Sequence, residues 1–265
     1  MFKIATWNVN SVRLRADGLQ RLIAEQAPDV ICLQETKVAN PIFPLQVLHD
    51  AGYPHVSIHG QKMYNGVAIA ARRPFLADSS RLWCEQEDCR HISATFEDGL
   101  EVHNFYIPAG GDLPDPEVNP KFAHKLRFVD EITDWFGRRR GKKTNRLVLV
   151  GDLNIAPLET DVWSHKQLLK VVSHTPVEVA AMDRMYRSHD WVDAVRTVIP
   201  PEEKLFSWWS YRSPDWDAAD KGRRLDHIWV TPALKGAIRN AQVLRHMRGL
   251  AAPSDHAPVV AELDL

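Results

Sequence analysis

Short apolar runs recur along the chain: KIATW (3–7), DVICL (29–33), GVAIAA (66–71), EVHNFYI (101–107), LVLV (147–150), LDHIWV (225–230) and PVVAEL (258–263). Many are rich in β-branched residues, and their length and composition predict strands. Stretches of helical period lie between some of them. Residues 12–26 place Leu19, Leu22 and Ile23 on one face, and Pro28 stops the pattern. Residues 121–136 put Phe122, Leu126, Val129 and Ile132 on another face. Thr175-Pro176-Val177-Glu178 is a capping box with proline at the first helical position, and it predicts a helix through about Arg187. Strands mixed with helices argue for α/β layers. The stretches 110–120, 138–146 and 213–222 have the composition and length of loops, and no motif repeats. The chain reads as a single domain, 1–265.

Polar residues stand at the rims of these runs. KIATW ends at Asn8, DVICLQ at Glu35, and LVLVG at Asp152 and Asn154; Tyr106 precedes a Pro and a Gly-Gly pair. Asp226 begins LDHIWV, and Asp255-His256 comes just before PVVAEL. Each alone reads as a turn, because Gly, Asp and Asn are turn formers. Together they make a chemically complementary set of carboxylates, amides, one His and one Tyr. Loops on a rigid scaffold are where catalytic groups collect. Oxygen ligands of this kind suit a hard divalent cation such as Mg²⁺. Zinc is disfavoured, because no HxxxH or CxxC spacing is present. A metal beside an Asp–His pair is equipment for phosphodiester hydrolysis, where it helps neutralise the transition state while a base deprotonates water.

Composition changes this picture little. Apolar content of 45% and charged content of 25% are ordinary for a globular protein, and the net charge of -1 announces no global basic field. Acidic ligands can cancel a basic rim in that total. Cys32, Cys84 and Cys89 form no pair and read as reduced thiols of a cytoplasmic protein. The N-terminal MFKIATWNVN lacks the apolar core of a signal peptide, and no run approaches the roughly 20 residues of a membrane span.

The motifs ATWNVNSVR, PDVICLQETK, YNGVAI, GDLNIAP, FSWWSYR, GRRLDHIWV and SDHAPV, in this order over nearly the whole chain, resemble those of the exonuclease III and apurinic/apyrimidinic endonuclease family. The resemblance implies a DNase I-like, four-layer α/β sandwich, with two mixed β-sheets packed together and flanked by helices. It implies a Mg²⁺-dependent DNA repair nuclease, with Mn²⁺ able to substitute, acting as a monomer on duplex DNA at 3′ ends and abasic sites. The alternative is a hydrolase of the wider superfamily with a different phosphoester substrate. Glu35 resembles the principal metal ligand, with Asn8 and Asp255 beside it; Asp152, Asn154 and His256 complete the implied metal neighbourhood. Asp152 resembles the acid/base, Asn154 the transition-state amide, and His256, with Asp226 as its partner, a phosphate contact or base. Tyr106 matches the Tyr of a Y-x-P motif that touches the phosphate or acts as phenolate.

Two positions depart from the family pattern. Ala109 stands where a Gln or Asn donor is usual, so that either the Gly110 and Gly111 N–H groups substitute or the substrate preference differs, and Ser210 stands where an acid is common. Arg90, Lys121, Trp208, Trp209 and Arg212 match DNA-contacting positions. Adjacent residues of an extended segment point opposite ways, so one of the two indoles should be core and one exposed. RHMR (245–248) is the expected backbone-contact cluster, and RRRGKKTNR a solvated loop. His165 and His174, in the segment implied to border the damaged-sugar pocket, read either as surface histidines or as bulk that obstructs an abasic site.

Overall fold

The computed structural model describes residues 1–140 and 145–265. Its strands are β1 (Phe2–Asn8), β2 (Val30–Gln34), β3 (His55–His59), β4 (Val67–Ala71), β5 (Phe75–Ser79), β6 (His91–Phe96) and β7 (Leu100–Tyr106). They continue with β8 (Arg146–Asp152), β9 (Val192–Asp193), β10 (Trp208–Trp209), β11 (Gly222–Arg223), β12 (Asp226–Val230), β13 (Ile238–Val243) and β14 (Val259–Leu263). One 6-stranded sheet has the order β13-β14-β1-β2-β4-β3, and the other β5-β6-β7-β8-β12-β9. All the expected strands are present. The sequence pattern missed β3, β5, β6, β13 and the two-residue strands β9 and β11. Of these, β5 and β13 are edge strands with mostly exposed or half-buried positions, so they carry little apolar signal.

Alternation along each strand explains the layering. Ile4, Cys32, Val67 and Ile69 point inward from the first sheet and meet Ile92, Val102, Val148, Val150 and Ile228 of the second. The opposite parity, including Ala5, Trp7, Ile31 and Leu33, packs on Leu19, Leu22 and Ile23 of the helix Ala16–Gln26. On the far side Phe105, Leu147, Leu149 and Trp229 pack against the helices Pro120–Arg139 and Pro176–Ser188. The result is the expected α-β-β-α sandwich. Each fully buried Leu, Ile or Phe contributes about 1.5–3 kcal/mol. The sheet seam is therefore fixed by its middle, and the strand ends are free to carry polar groups.

The helices begin and end for local reasons. Ala16–Gln26 starts four residues later than its apolar period and stops where Ala27 turns left-handed (φ 46) ahead of Pro28. Asn119 caps Pro120–Arg139, its side chain accepting from the Lys121 N–H. On that helix Leu126 is only half-buried, while Lys125, Phe128 and Phe136 join the buried face. The capping box forms as expected, with Thr175 and Glu178 bonded reciprocally, and the helix runs to Ser188. Of the basic run, Arg139, Arg140 and Arg146 pair with Glu101, Asp190 and Asp98; residues 141–144 lie outside the described residues. Among the described residues no helix is long and apolar enough to cross a membrane.

A repeat invisible at the motif level appears in the topology. Each sheet has one parallel pair at its centre, β1–β2 and β7–β8, with antiparallel pairs on both sides. Parallel neighbours end at the same edge. Asn8 therefore finishes beside Gln34, and Tyr106 beside Asp152.

Candidate active site

Asn8, Tyr106, Asp152 and Asp226 occupy the inward parity of β1, β7, β8 and β12, in line with Ile4, Val102, Val150 and Ile228. Their side chains point into the sheet seam at the rim, where the hydrocarbon filling gives way to polar groups. Directly beneath, Gln34 Nε2 donates to Thr6 Oγ1 (2.9 Å) and Asn104 Oδ1 (2.6 Å). Asn104 Nδ2 donates to the carbonyls of Leu33 and Ala68, both at 2.9 Å. This buried amide layer stitches the two sheets together under the site.

Backbone conformation aims the remaining groups. Gly151 has φ 140, and an added Cβ would collide with the Phe105 carbonyl oxygen, so only glycine lets β8 run this close to β7. Asn154 is left-handed (φ 53), and its N–H donates to Asp152 Oδ1 at 3.0 Å, an Asx-type turn. Glu35, just past β2, is also left-handed (φ 49). The turn-forming character of these residues and their place in the site are thus one property.

The side chains form a continuous chain of contacts. Asn8 Nδ2 bridges Glu35 Oε1 (2.9 Å) and Asp152 Oδ2 (2.8 Å). The Tyr106 hydroxyl donates to Glu35 Oε1 at 2.8 Å. His256 Nδ1 meets Asp226 Oδ2 at 2.8 Å, while His256 Nε2 stands 3.6 Å from Asp152 Oδ2. Ser207 Oγ also donates to Asp226 Oδ2, at 2.6 Å. Asp255 accepts from Asn10 Nδ2 (3.1 Å) and Trp208 Nε1 (2.9 Å). Lys37 closes the circuit, pairing with Glu35 Oε2 at 2.8 Å and donating to Asn10 Oδ1 at 2.5 Å. Lys37, Asn10 and Ser207 were missed by sequence reasoning. Lys37 stood inside LQETK, but a single lysine carries no signal of what it pairs with.

Burial and charge set the protonation states. Burial lifts the Asp152 carboxyl and the Asp226 charge adds to this, while His256 and Asn8 pull the other way; it is raised to about 7. For His256, burial opposes the charge, but Asp226 and Asp152 outweigh it and raise the imidazole to about 10. His256 is therefore a cation held by Asp226, which favours the phosphate-clamp reading over the base. Burial and the neighbouring Glu35 push the Tyr106 phenol well up, against the Arg90 guanidinium 4.7 Å from its ring. Tyr106 stands here as a donor to Glu35.

Hard oxygen donors are present for a cation. The Glu35 and Asp255 carboxylates border the same cavity as Asp152 and Asn154, and Asn8 bonds to both Glu35 and Asp152. The tightest group, Asp152, Asp226 and His256, has ligand atoms within 4.8 Å of one another. Those atoms are engaged with each other, and a protonated imidazole offers no lone pair. In this arrangement His256 is a charge partner of Asp226 and Asp152.

The cavity holds about 540 Å³. Its lining includes Glu35, Tyr106, Asp152 and His256, the apolar Trp163, Val171, Val172 and Trp208, and the basic Arg212, Lys221 and Arg223. Ser210 and Gly111 also line it. Trp208 is half-buried, whereas Trp209 is 2% exposed and packs with Phe206 and Ala257. Trp209 is thus corrected from DNA contact to core. Arg90 packs on Tyr106 and donates to its carbonyl at 3.2 Å. Lys121 is exposed on the first turn of its helix, outside the cavity wall. RHMR is also corrected: Arg245 pairs with Asp217 and Asp220, and Arg248 is buried against the Trp209 carbonyl. His174 is buried, bonded to the Ala156 carbonyl and to His165, and neither histidine lines the cavity; Trp163 does.

Residues 5–256, which span every group just described, match the model of the endonuclease/exonuclease/phosphatase family. The chain belongs to this family. Among family members it is 33% identical to exodeoxyribonuclease III of Haemophilus influenzae, over 98% of this chain and 99% of that protein. It is 28% identical to an exodeoxyribonuclease of Bacillus subtilis over 97% of each chain. The structure of the 3′ phosphatase NExo from Neisseria, bound to product DNA hairpin, superposes with TM-score 0.91 at 33% identity, covering all of both chains. An AP endonuclease from Archaeoglobus fulgidus gives 0.92 at 33% identity, again over both whole chains. These neighbours confirm the DNase I-like fold for this family member.

Proposed function

We propose that the protein is a metal-dependent DNA repair phosphodiesterase, a 3′→5′ exodeoxyribonuclease on duplex DNA that also has 3′-phosphatase and AP endonuclease activity. The observation that carries the reading is the pairing of an Asp226-held His256 cation with a raised Asp152, next to the Glu35 oxygen cluster. Relatives named exodeoxyribonuclease III and a neighbour solved with product DNA support it. Mg²⁺, or Mn²⁺ in its place, would be held by Glu35 with Asn8 and Asp255 close by, and would supply positive charge to the phosphate as negative charge develops. Asp152 takes the proton of the attacking water. It is aligned by the Asn8 amide and by the backbone and side-chain N–H groups of Asn154 (3.0 and 3.1 Å). The His256 imidazolium neutralises a non-bridging oxygen while the P–O3′ bond breaks. Tyr106 fixes Glu35, and Asn154, whose two amide hydrogens go to the Ile107 carbonyl at 2.9 Å and to Asp152 Oδ2 at 3.1 Å, holds the Asp152 carboxylate in place for the phosphate. We assign DNA contacts to Trp208, Arg212 and Lys121, with Arg90 acting through Tyr106. A monomer working in the cytoplasm fits three unpaired cysteines.

Trp163 favours 3′-terminal substrates over internal abasic sites. It shares the cavity with Trp208, and Lys221 Nζ stacks 4.9 Å from its ring. An internal abasic sugar must enter with DNA strand on both sides, and a second indole leaves less room for it than for a strand end. The test uses a blunt duplex, a 3′-phosphate duplex and an internal abasic analogue, each with Mg²⁺ and with EDTA. The expected order places both terminal substrates above the abasic one, with Trp163→Gly narrowing the gap. Cleavage undiminished by EDTA, or of none of the three, overturns the assignment.

A further inference from the structure

Among the buried ion pairs that the chemistry above does not use, one lies directly under the cavity loops. Lys125 and Glu178 lie on facing helices, both side chains are 0% exposed, and Nζ meets Oε1 at 2.5 Å. Desolvating two charges is costly, and hydrocarbon of the same volume often serves stability as well. What distinguishes this pair is what it holds. The ammonium has three N–H groups and finds three acceptors: Glu178, the Asn154 carbonyl at 2.8 Å and the Ala109 carbonyl at 3.3 Å. Glu178 in turn accepts from the Ser173 N–H with both oxygens at 2.9 Å and from the Thr175 hydroxyl at 2.6 Å.

One ion pair thus ties together the loop after β7, the loop after β8 and the loop that opens the helix Pro176–Ser188. Ala109, Asn154 and Ser173, one from each loop, all line the cavity. Peptide planarity gives the tie a direction. In a trans peptide the C=O and the following N–H point opposite ways, so a carbonyl of Ala109 drawn inward turns the Gly110 N–H away from Lys125. Gly110 sits at φ 91, with an added Cβ only 2.9 Å from Lys125 Cδ, so this loop rests directly on the lysine stem. The tie also reaches Trp208. Ser173 Oγ and the Val172 carbonyl accept from Arg223 Nη1 at 2.8 and 2.9 Å, and the Arg223 guanidinium lies 5.1 Å from the Trp208 ring.

We propose that Lys125 and Glu178 are positioning residues for phosphodiester cleavage, setting from beneath the grip of Asn154 on Asp152 and the aim of the Gly110–Gly111 N–H groups. The inference rests on the reading of the site given above. The Gly pair then stands in for the donor absent at Ala109, and its geometry is set by a residue on a distant helix.

The test is the double variant Lys125→Met/Glu178→Met, which removes both charges at nearly constant volume, in wild-type and Asn154→Ala backgrounds. Its melting midpoint should fall without loss of the fold, because neither charge is left alone and the cost is confined to the hydrogen bonds of the Asn154 carbonyl and of the Ser173 and Thr175 groups. With Mg²⁺ its kcat on a 3′-recessed duplex should fall by about 10–100-fold, the scale of a small misplacement of a catalytic group. KM, and binding of uncut duplex in EDTA, should move far less. In the Asn154→Ala background the same pair should lower kcat by a clearly smaller factor, since one group it positions is gone. A wild-type kcat in the double variant overturns the positioning role, as does the same fold-loss in both backgrounds. A wild-type kcat for Asn154→Ala alone overturns the reading of the site instead. If the double variant does not fold, Lys125→Gln/Glu178→Gln takes its place in the same cycle. It leaves no charge unpaired and keeps an amide oxygen for the Ser173 and Thr175 N–H groups, with the same expected direction and the same overturning results.

Discussion

Arg224 and Asp226 stand two residues apart, and each leads into a cluster of buried charge. Arg224 donates through Nε and Nη2 to Asp161 (2.7 and 3.1 Å) and through Nη1 to Asp193 (2.7 Å). Arg196 adds a second guanidinium on Asp161 at 2.6 Å. Asp193 Oδ1 meanwhile caps the next helix through the N–H groups of Val195 and Arg196. Burial disfavours the Arg224 charge, but the two carboxylates outweigh it and raise its pKa. Around Asp226 the accounts are left open. Its Oδ1 has no hydrogen-bond partner, His256 Nε2 is 3.6 Å from the nearest acid, and Asp152 is lifted toward neutrality. Buried charge alone therefore does not mark a functional site. What differs is the opening: Asp152 and His256 line the cavity, while the Arg224–Asp161 pair does not.

The largest effect that can break this comparison is loss of chemistry without loss of fold. Asp152→Asn and His256→Ala should each lower Mg²⁺-dependent cleavage by about 10³-fold or more. Asp152→Asn should leave the melting midpoint at neutral pH unchanged or raised, because a lifted carboxyl is a strained charge. Activity near wild type in either purified variant ends the assignment. The mirror experiment is Arg224→Met. Stranding Asp161 and Asp193 should cost about 3–5 kcal/mol in urea unfolding. Cleavage per folded molecule should stay within about twofold, as expected for uncoupled sites. A variant that is stable but inactive would show that the Arg224 cluster also serves the chemistry.

Smaller changes sharpen the contrast. Tyr106→Phe removes one donor to a charged oxygen, a loss of about 1.5–3 kcal/mol that should appear as a tenfold or greater fall in kcat/KM. An equal fall in melting stability with intact kcat/KM would make that hydroxyl structural. The mildest test is a pH shift. His256 in the folded protein is raised above its ordinary 6.5 to about 10. Its stabilisation is therefore complete below pH 6.5 and is lost as pH rises through about 10. The alkaline limb of activity should follow the same folded value. Asp226→Asn removes the largest favourable charge on the imidazole, so this limb should move to lower pH. A limb that stays in place would mean that another group sets it.

The apolar runs made the fold legible, since strand parity and helix period follow from burial. The chemical core was legible for a related reason: Asn8, Tyr106, Asp152 and Asp226 each sit where an inward-facing apolar series ends in a polar residue. What the pattern could not give is pairing across space. Trp209 and Trp208 are indistinguishable as letters, and only the alternation of β10 decides which is core. Arg245 and Arg248 looked like phosphate contacts because the acids and carbonyl that occupy them lie elsewhere in the chain. His165 and His174 drew attention as titratable groups, while the indole of Trp163, two residues before His165, is what reaches the cavity. Lys125 looked like a polar position on a helix, because its partner Glu178 is visible only once two helices pack.

The strand β14, which follows directly on Asp255 and His256, zips against β1 with Phe2 opposite Leu263. Trp7 Nε1 donates to the His256 carbonyl at 2.9 Å, and Ser254 Oγ to the Asn8 carbonyl at 2.7 Å. Residues from opposite ends of the sequence are thus neighbours in the site. During synthesis Asn8 and Glu35 leave the ribosome long before the imidazole of His256. A growing chain with its first half already folded still lacks that cation beside Asp152. Loop closure over this span makes the β1–β14 pairing a late and slow contact, so the site is complete only once β14 docks between β13 and β1.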